Sequence, residues 1–287
     1  MMNPNEFLDA SIAEALGTRL LATQGVCGGC IHYARRLDLA DGQRVFVKSA
    51  GGGQAALLVA EARGLNLLAG HIRVPRVLCK GVTGKGIRWL GLEWLDLQPL
   101  AGAAWTDLGR QLAALHAVTA ALHGLDHDNF IGATPQVNTP AEAWPEFYLE
   151  RRLRPQLLLA RAHGHDLAEC EILARAETVL AAHDPAPALL HGDLWSGNAA
   201  ALAGCNAVVF DPAPYHGDPE TDLAMLELFG GPLPEAFFRG YGRSLPDREW
   251  RRPVYDLYHA LNHLNLFGDG YAPMVRRCVE GMRRSGK

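Results

Sequence analysis

The chain has 287 residues, 48% hydrophobic and 20% charged, with 27 Lys and Arg against 31 Asp and Glu, for a formal net charge of −4. That length supports one large domain or two smaller ones with a sizeable core, in an ordinary globular composition. The charge balance argues against a nucleic-acid binder working by general basic attraction, and no segment supplies the roughly 18 uninterrupted apolar residues of a membrane span.

The N-terminus, "MMNPNEFLDASIAEALG", carries no basic stretch followed by a long apolar run, so no secretory leader is expected. Next, "GGCIHYARRLDLADGQRVFVKSA" (28–50) holds two alternating apolar runs joined by "ADG", a hairpin. The stretch 54–70 reads as a helix capped at Gly70. Further strands are expected over 72–79 and 87–97, the first demoted to an edge or broken strand by Pro75. These elements make a small, strand-rich lobe with one helix over 1–97. From 98 to 287 the chain turns helical, with helices expected over 103–123, 140–164 (Pro145 in its first turn) and 166–183. A short strand follows at "AVVFDPA" (207–213), then more helices. The basic run "ERRLRP" (150–155) reads as a solvated helix face. Six cysteines, at 27, 30, 79, 170, 205 and 278, are too scattered for a disulfide framework, which predicts a reducing cytoplasm.

Several polar residues stand where apolar ones would be cheaper. In "VFVKS" the period of two puts Phe46 and Lys48 on one face and Val45 and Val47 on the other. In the helix over 54–70, Leu58, Ala62, Leu65 and Leu68 form the inward stripe, and Glu61 lies within it. A carboxylate there costs several kcal/mol, as an order of magnitude, unless a cation pairs with it. Lys48 is the candidate, and a lysine fixed by a glutamate beneath a glycine turn is how kinases hold nucleotide phosphates. Gly28 and Gly29, in "CGGC" (27–30), would form that turn. The flanking Cys27 and Cys30 are expected to pack passively; the sharper expectation is that oxidation of Cys30 slows the protein reversibly.

The loop "HGDLWSGN" (191–198) then sets Asp193 five positions before Asn198, the spacing of a kinase catalytic loop. Thirteen residues on, Asp211 ends a strand, and Pro212 after it is expected to hold it extended. Asn198 and Asp211 offer hard oxygens suited to Mg²⁺, leaving Asp193 to accept a proton from an attacking hydroxyl. Trp195 offers an apolar face to a sugar, and Asn262 and His263 could line the same site. Asp222 is expected to hydrogen-bond the loop backbone, Asp218 to cap a helix whose first residue is Pro219, and His191 to pack behind the loop.

"LLHGDLWSGN" with "FDPAPYHGDPETDLAMLELFGG" (210–231) resembles the fructosamine-3-kinase (ketosamine kinase) family, in the aminoglycoside-phosphotransferase-like branch of the protein-kinase fold. The resemblance extends through "LGLEWLDL" (90–97), "NFIGATPQVN" (129–138), "FYLERRL" (147–153) and "LYHALNHLNLFG" (257–268). It implies a two-lobed α+β fold with ATP and Mg²⁺ in the cleft. It implies transfer of the ATP γ-phosphate to the 3-hydroxyl of a ketosamine, a small molecule or a glycated protein lysine. The product decomposes and frees the amine, which is deglycation. The resemblance also implies a hinge in which the backbone of Glu93 and Leu95 faces adenine, and a preference for ribulosamine or erythrulosamine over fructosamine. His32 and "SAGGG" after Lys48 depart from the expected pattern around the phosphate roof. A monomer or weak dimer, with no nucleic-acid or membrane partner, is expected. The alternative is another small-molecule kinase of the branch, for an aminoglycoside or choline. A catalytically inactive nucleotide-binding module would lack Lys48, Asp193 or Asp211, and all three are present.

Overall fold

A computed structural model of the chain describes residues 4–26 and 33–285. The small lobe comprises α1 (Pro4–Leu16), β1 (Leu20–Gly25), β2 (Tyr33–Leu39), β3 (Arg44–Ala50), α2 (Ala55–Leu68), β4 (Val77–Val82) and β5 (Arg88–Glu93). Its strands form one antiparallel sheet in the order β1-β2-β3-β5-β4, with the β2–β3 hairpin turning at "ADG" as expected.

Alternation along β3 decides what each face of the sheet carries. Val45 and Val47 pack with Leu37, Leu39 and Trp89 against Leu8 and Ile12 of α1. On the other face Phe46, Leu90 and Leu92 meet Leu58, Ala62, Leu65 and Leu68 of α2. Lys48 pairs across to Leu90 and so is turned toward α2. The helix α1 is an addition to the one helix expected in this lobe. Its signal is short but present: Leu8, Ile12 and Leu16 recur every fourth residue, and Trp89 Nε1 donates to Ser11 Oγ at 3.2 Å.

Several boundaries differ from expectation. The strand expected over 72–79 begins only at Val77, past Pro75, which has no N–H for a ladder. The strand expected over 87–97 stops at Glu93. Gly70 is no left-handed cap; α2 ends through Ala69 in the right-handed region.

The larger lobe runs through α3 (Ala103–Leu115), β6 (Asn129–Ile131), β7 (Thr134–Gln136), α4 (Trp144–Tyr148), α5 (Arg154–Ala162), α6 (Glu169–Leu180) and β8 (Ala188–Leu189). It continues with β9 (Ala199–Ala201), β10 (Ala207–Val209), β11 (His216–Gly217), α7 (Glu220–Gly230), α8 (Glu235–Tyr241), α9 (Arg248–Phe267) and α10 (Ala272–Ser285). At its centre α9 buries Val254, Tyr255, Tyr258 and Leu261 against Trp144, Phe147 and Tyr148. Among the described residues no helix is long and apolar enough to cross a membrane.

The helix expected over 103–123 ends at Leu115. Beyond it the backbone pairs with β8 and its lead-in: Val118 O accepts from Leu189 N at 2.7 Å, and Ala120 N donates to Pro187 O at 3.0 Å. The helix expected over 140–164 starts at Trp144, with Pro145 in its first turn, and widens to a π turn over Leu149–Leu153. The same segment overturns the reading of 150–155 as a solvated face. Arg152 is 0% exposed, its guanidinium 4.0 Å from the Tyr215 ring centroid, and it donates to Val137 O and Asn138 Oδ1 at 2.7 Å each. The helix expected over 166–183 is the shorter α6.

Candidate active site

The loop after β8 is held from behind by one carboxylate. Asp222, in the first turn of α7, accepts the N–H of His191 at 2.8 Å and of Gly192 at 2.9 Å. His116, at the end of α3, bonds the same carboxylate through Nε2 at 3.2 Å and Tyr241 through Nδ1 at 2.9 Å. Burial alone would push the Asp222 carboxyl up, yet the His116 hydrogen bond and charge, with the Gly192 N–H, hold it below the usual carboxylate range. The expected backbone role of Asp222 is therefore observed, while His116 and Tyr241 were missed. Nothing local in "LAALHAV" marks that histidine, whose partners lie more than 100 residues away.

His191 packs behind the loop as expected. Its Nδ1 accepts the Asp193 N–H at 3.3 Å and its Nε2 lies 3.1 Å from Phe210 O, a pair that suits the neutral Nε2-H tautomer. Burial favours the same neutral form. Gly192 sits at φ 81°, and a side chain there would strike the Ala213 carbonyl. The loop and the Pro212–Pro214 segment can run side by side only because this position has no Cβ.

Asn198 ties the loop to the segment that carries Asp211. Its Nδ2 donates to Asp193 O at 2.9 Å, and its carbonyl accepts the N–H of Phe210, the residue before Asp211, at 3.0 Å. With Nδ2 committed, the amide oxygen Oδ1 remains available. Asp211 is not extended, as Pro212 led one to expect, but sits at φ 56° in the left-handed region. The pre-proline restriction disfavours the right-handed helical region, and a short Asp side chain tolerates this alternative.

Lys48 and Glu61 meet as predicted, Nζ to Oε1 at 2.8 Å, and Lys48 also reaches Asp211 Oδ1 at 2.5 Å. Two carboxylates thus share one buried ammonium. Burial would lower the Lys48 pKa, but the two negative neighbours hold it above its ordinary value. Burial pushes Glu61 up to about 7, against the pull of Lys48, while Lys48 overcomes burial at Asp211 and keeps that carboxyl below the usual range. Asp193 is pushed up to about 7, first by burial and then by the charges of Asp211 and Asp222; the Asn198 hydrogen bond opposes this. Two hard oxygen donors, the Asp211 carboxylate and Asn198 Oδ1, flank an ionisable Asp193. That donor set fits a small divalent cation such as Mg²⁺.

The remaining candidates divide. Glu93 closes β5, its N–H donating to Arg76 O at 2.9 Å and its carboxylate pairing with Arg73 at 2.9 Å. Leu95 lies beyond the strand, and its N–H has no partner among the described residues. Gly28 and Gly29, with Cys27, Cys30 and His32, fall outside the described residues. Trp195, two residues past Asp193, is 37% exposed. His263 faces the same side of the lobe through Phe229, whose ring centroid is 4.6 Å away. Asn262 is turned inward, 3% exposed, accepting from Gln156 Nε2 at 3.1 Å. Asp218 does receive the Glu220 N–H at 3.0 Å, as a cap would, although α7 begins at Glu220 and Pro219 precedes it rather than opening it; it also accepts the Tyr255 hydroxyl at 2.5 Å, a bond no sequence pattern announced.

The family model described as "Fructosamine kinase" matches residues 6–284. A Synechocystis protein named "Probable ketoamine kinase" is 42% identical over 273 residues, covering 91% of each chain. The Arabidopsis thaliana "Protein-ribulosamine 3-kinase, chloroplastic" is 37% identical, covering 95% of this chain and 86% of its own. A crystal structure from Haemophilus somnus 129PT, of a protein named "Putative fructosamine-3-kinase", superposes with a TM-score of 0.87 at 27% identity, covering 96% of both chains.

Proposed function

The chain belongs to the fructosamine kinase family, and from that we propose an ATP- and Mg²⁺-dependent kinase that phosphorylates the 3-hydroxyl of ketosamines, with ribulosamine and erythrulosamine preferred over fructosamine. The observation that carries the reading is the convergence of Lys48, Glu61, Asp193, Asn198 and Asp211, drawn from four separate stretches of chain, on one site.

Asp193 is the base. It accepts the proton of the 3-hydroxyl as that oxygen attacks the γ-phosphorus of ATP and the bond from that phosphorus to the departing ADP breaks, and burial raises the affinity of the carboxyl for that proton. The clamp from Asp222 fixes the loop, so Asp193 meets the hydroxyl in one orientation. Lys48 has three ammonium donors; Glu61 and Asp211 take two, and the third is free for nucleotide phosphate. Asn198 and Asp211 would hold Mg²⁺, which when bound neutralises charge on the phosphate oxygens. The small lobe, 1–97, carries the nucleotide, with the backbone of Glu93 and Leu95 toward adenine. The lobe of 98–287 carries the base, the metal ligands and the acceptor, with Trp195 and His263 as sugar-side contacts. The unstable 3-phosphate then releases the amine, free or on a protein lysine.

An inactive module is disfavoured because the lysine, base and both metal-side groups are present and assembled. The test is ATP consumption on erythrulosyl-, ribulosyl- and fructosyl-lysine beside choline and an aminoglycoside. Turnover of either of the last two, with none on any ketosamine, would overturn the reading.

A further inference from the structure

In a ketosamine the amine is attached to C1, so its nitrogen lies only two carbons from the C3 that bears the reacting hydroxyl. Whatever else the amine carries must therefore leave the site close to Asp193. A row of rings starts at that point. Trp195 stands two residues beyond the base, and its indole lies flat against Gly197, where any side chain would collide with the ring. It meets Phe229 of α7 at 76° with centroids 6.1 Å apart. Phe229 is 4.6 Å from His263 of α9, and His263 is 5.5 Å from Phe267 and 5.1 Å from Tyr271.

The row reaches water at both ends, since Trp195 is 37% and Phe267 50% exposed. Single exposed apolar residues need no explanation, but a contiguous run starting at a reaction centre marks a binding surface. Its charge also suits an amine. Burial keeps His263 neutral, and its Nδ1 is 2.9 Å from the carbonyl of His259, so the ring does not repel a cation. The faces of Trp195 and Phe229 attract a protonated secondary amine. The carboxylate of Asp269, two residues past Phe267, is exposed, with His165 Nδ1 3.7 Å from it.

We propose that Phe229 and Phe267, continuing the row past the sugar-side contacts Trp195 and His263, form the subsite for the amine's own substituent, so that the protein selects among ketosamines by the apolar or aromatic character of the amine. This rests on the ketosamine kinase reading. The alkyl stem of a lysine would lie along the rings, and an aromatic amine would stack on them, while methylamine reaches none beyond Trp195.

The experiment compares the ribulosyl derivatives of methylamine, of Nα-acetyl-lysine through its ε-nitrogen, and of benzylamine, so that the sugar is constant. The lysine and benzylamine derivatives should exceed the methylamine one about tenfold in kcat/KM, mostly through KM. In Phe267→Ala that ratio should collapse to within about threefold of unity, and in Phe267→Tyr it should persist. Phe267 is half exposed, so neither variant disturbs the core, which a melting curve verifies. Equal kcat/KM for the three amines, or a ratio that survives Phe267→Ala, overturns the subsite and leaves the kinase reading standing. Phosphorylation of none of the three, with choline or an aminoglycoside consumed instead, would remove both.

Discussion

Replacing Asp193 by Asn should damage catalysis and stabilise the protein, and the second effect should depend on pH. The native carboxyl titrates at about 7, against 3.8 for a free one. Between those values the folded state holds a proton that the unfolded chain has released. Stability is therefore fully present below the unfolded pKa and is lost as pH rises through the folded one, by about 1.4 kcal/mol per pH unit. From pH 5 to 8 the ceiling is about 3 kcal/mol. Asp193 is only partly shielded from solvent, which reduces the expected loss to about 1–2 kcal/mol. In a chain of this size that corresponds to roughly 2–4 °C. Asparagine carries no charge at any of these pH values, so the variant escapes the penalty. Glu61 and Asp256, both pushed up to about 7 chiefly by burial, contribute equally to both proteins and cancel. Melting temperatures of wild type and Asp193→Asn, without nucleotide or metal, should diverge from pH 5 to pH 8 with the variant higher. Turnover should fall about 10²–10⁴-fold while nucleotide binding is retained. In the wild type, turnover should decline toward low pH, because a protonated Asp193 cannot accept the hydroxyl proton, with a midpoint below about 7 once Mg²⁺ offsets the Asp211 charge that helps raise Asp193. Parallel melting profiles would refute the buried-charge account, and near-normal turnover would remove Asp193 as the base.

Removing the loop clamp with Asp222→Ala leaves the His191 and Gly192 N–H groups without their acceptor, and should lower kcat about 10–100-fold with little change in KM; equal losses in both would point to general unfolding instead. Arg152→Met deprives Val137 O and Asn138 Oδ1 of their donors and should cost about 1–3 kcal/mol, read as a drop in melting temperature of several degrees, whereas an unchanged melting curve would contradict its buried role. Chelation of divalent metal should abolish turnover, and Asn198→Ala should raise the Mg²⁺ concentration for half-maximal rate at least about tenfold, measured by titration at saturating ATP. Ribulosyl- and erythrulosyl-lysine should outrank fructosyl-lysine in kcat/KM; fructosyl-lysine ranking first would reverse the size preference alone.

What the sequence determined by itself is the grouping of side chains carried by local spacing. Asp193 and Asn198 lie within one loop, where a separation of five residues is already a distance in space. Lys48 and Glu61 were legible because each breaks an apolar period, on a strand and on a helix that must pack together, so burial itself required the pairing seen at 2.8 Å. The two lobes followed from the change from alternating to helical periodicity near residue 97. Tertiary structure decided the rest, because the rest depends on partners far apart in the chain. The apolar, Ala-rich run over 103–123 favours helix throughout, yet the backbone of Val118 and Ala120 pairs with residues 187–189, and helix gives way to that pairing. Arg152 looks solvated in "ERRLRP", and only the π turn with the ring of Tyr215 makes an interior place for it. Pro212 forbids one conformation at Asp211 without choosing among the others; the ammonium of Lys48 and the neighbouring loop backbone make that choice. His116 clamps the loop through Asp222 from 106 residues away. The values near 7 at Asp193 and Glu61 are likewise beyond sequence, since they arise from lost solvent and from the sum of charges that only folding brings within a few ångströms.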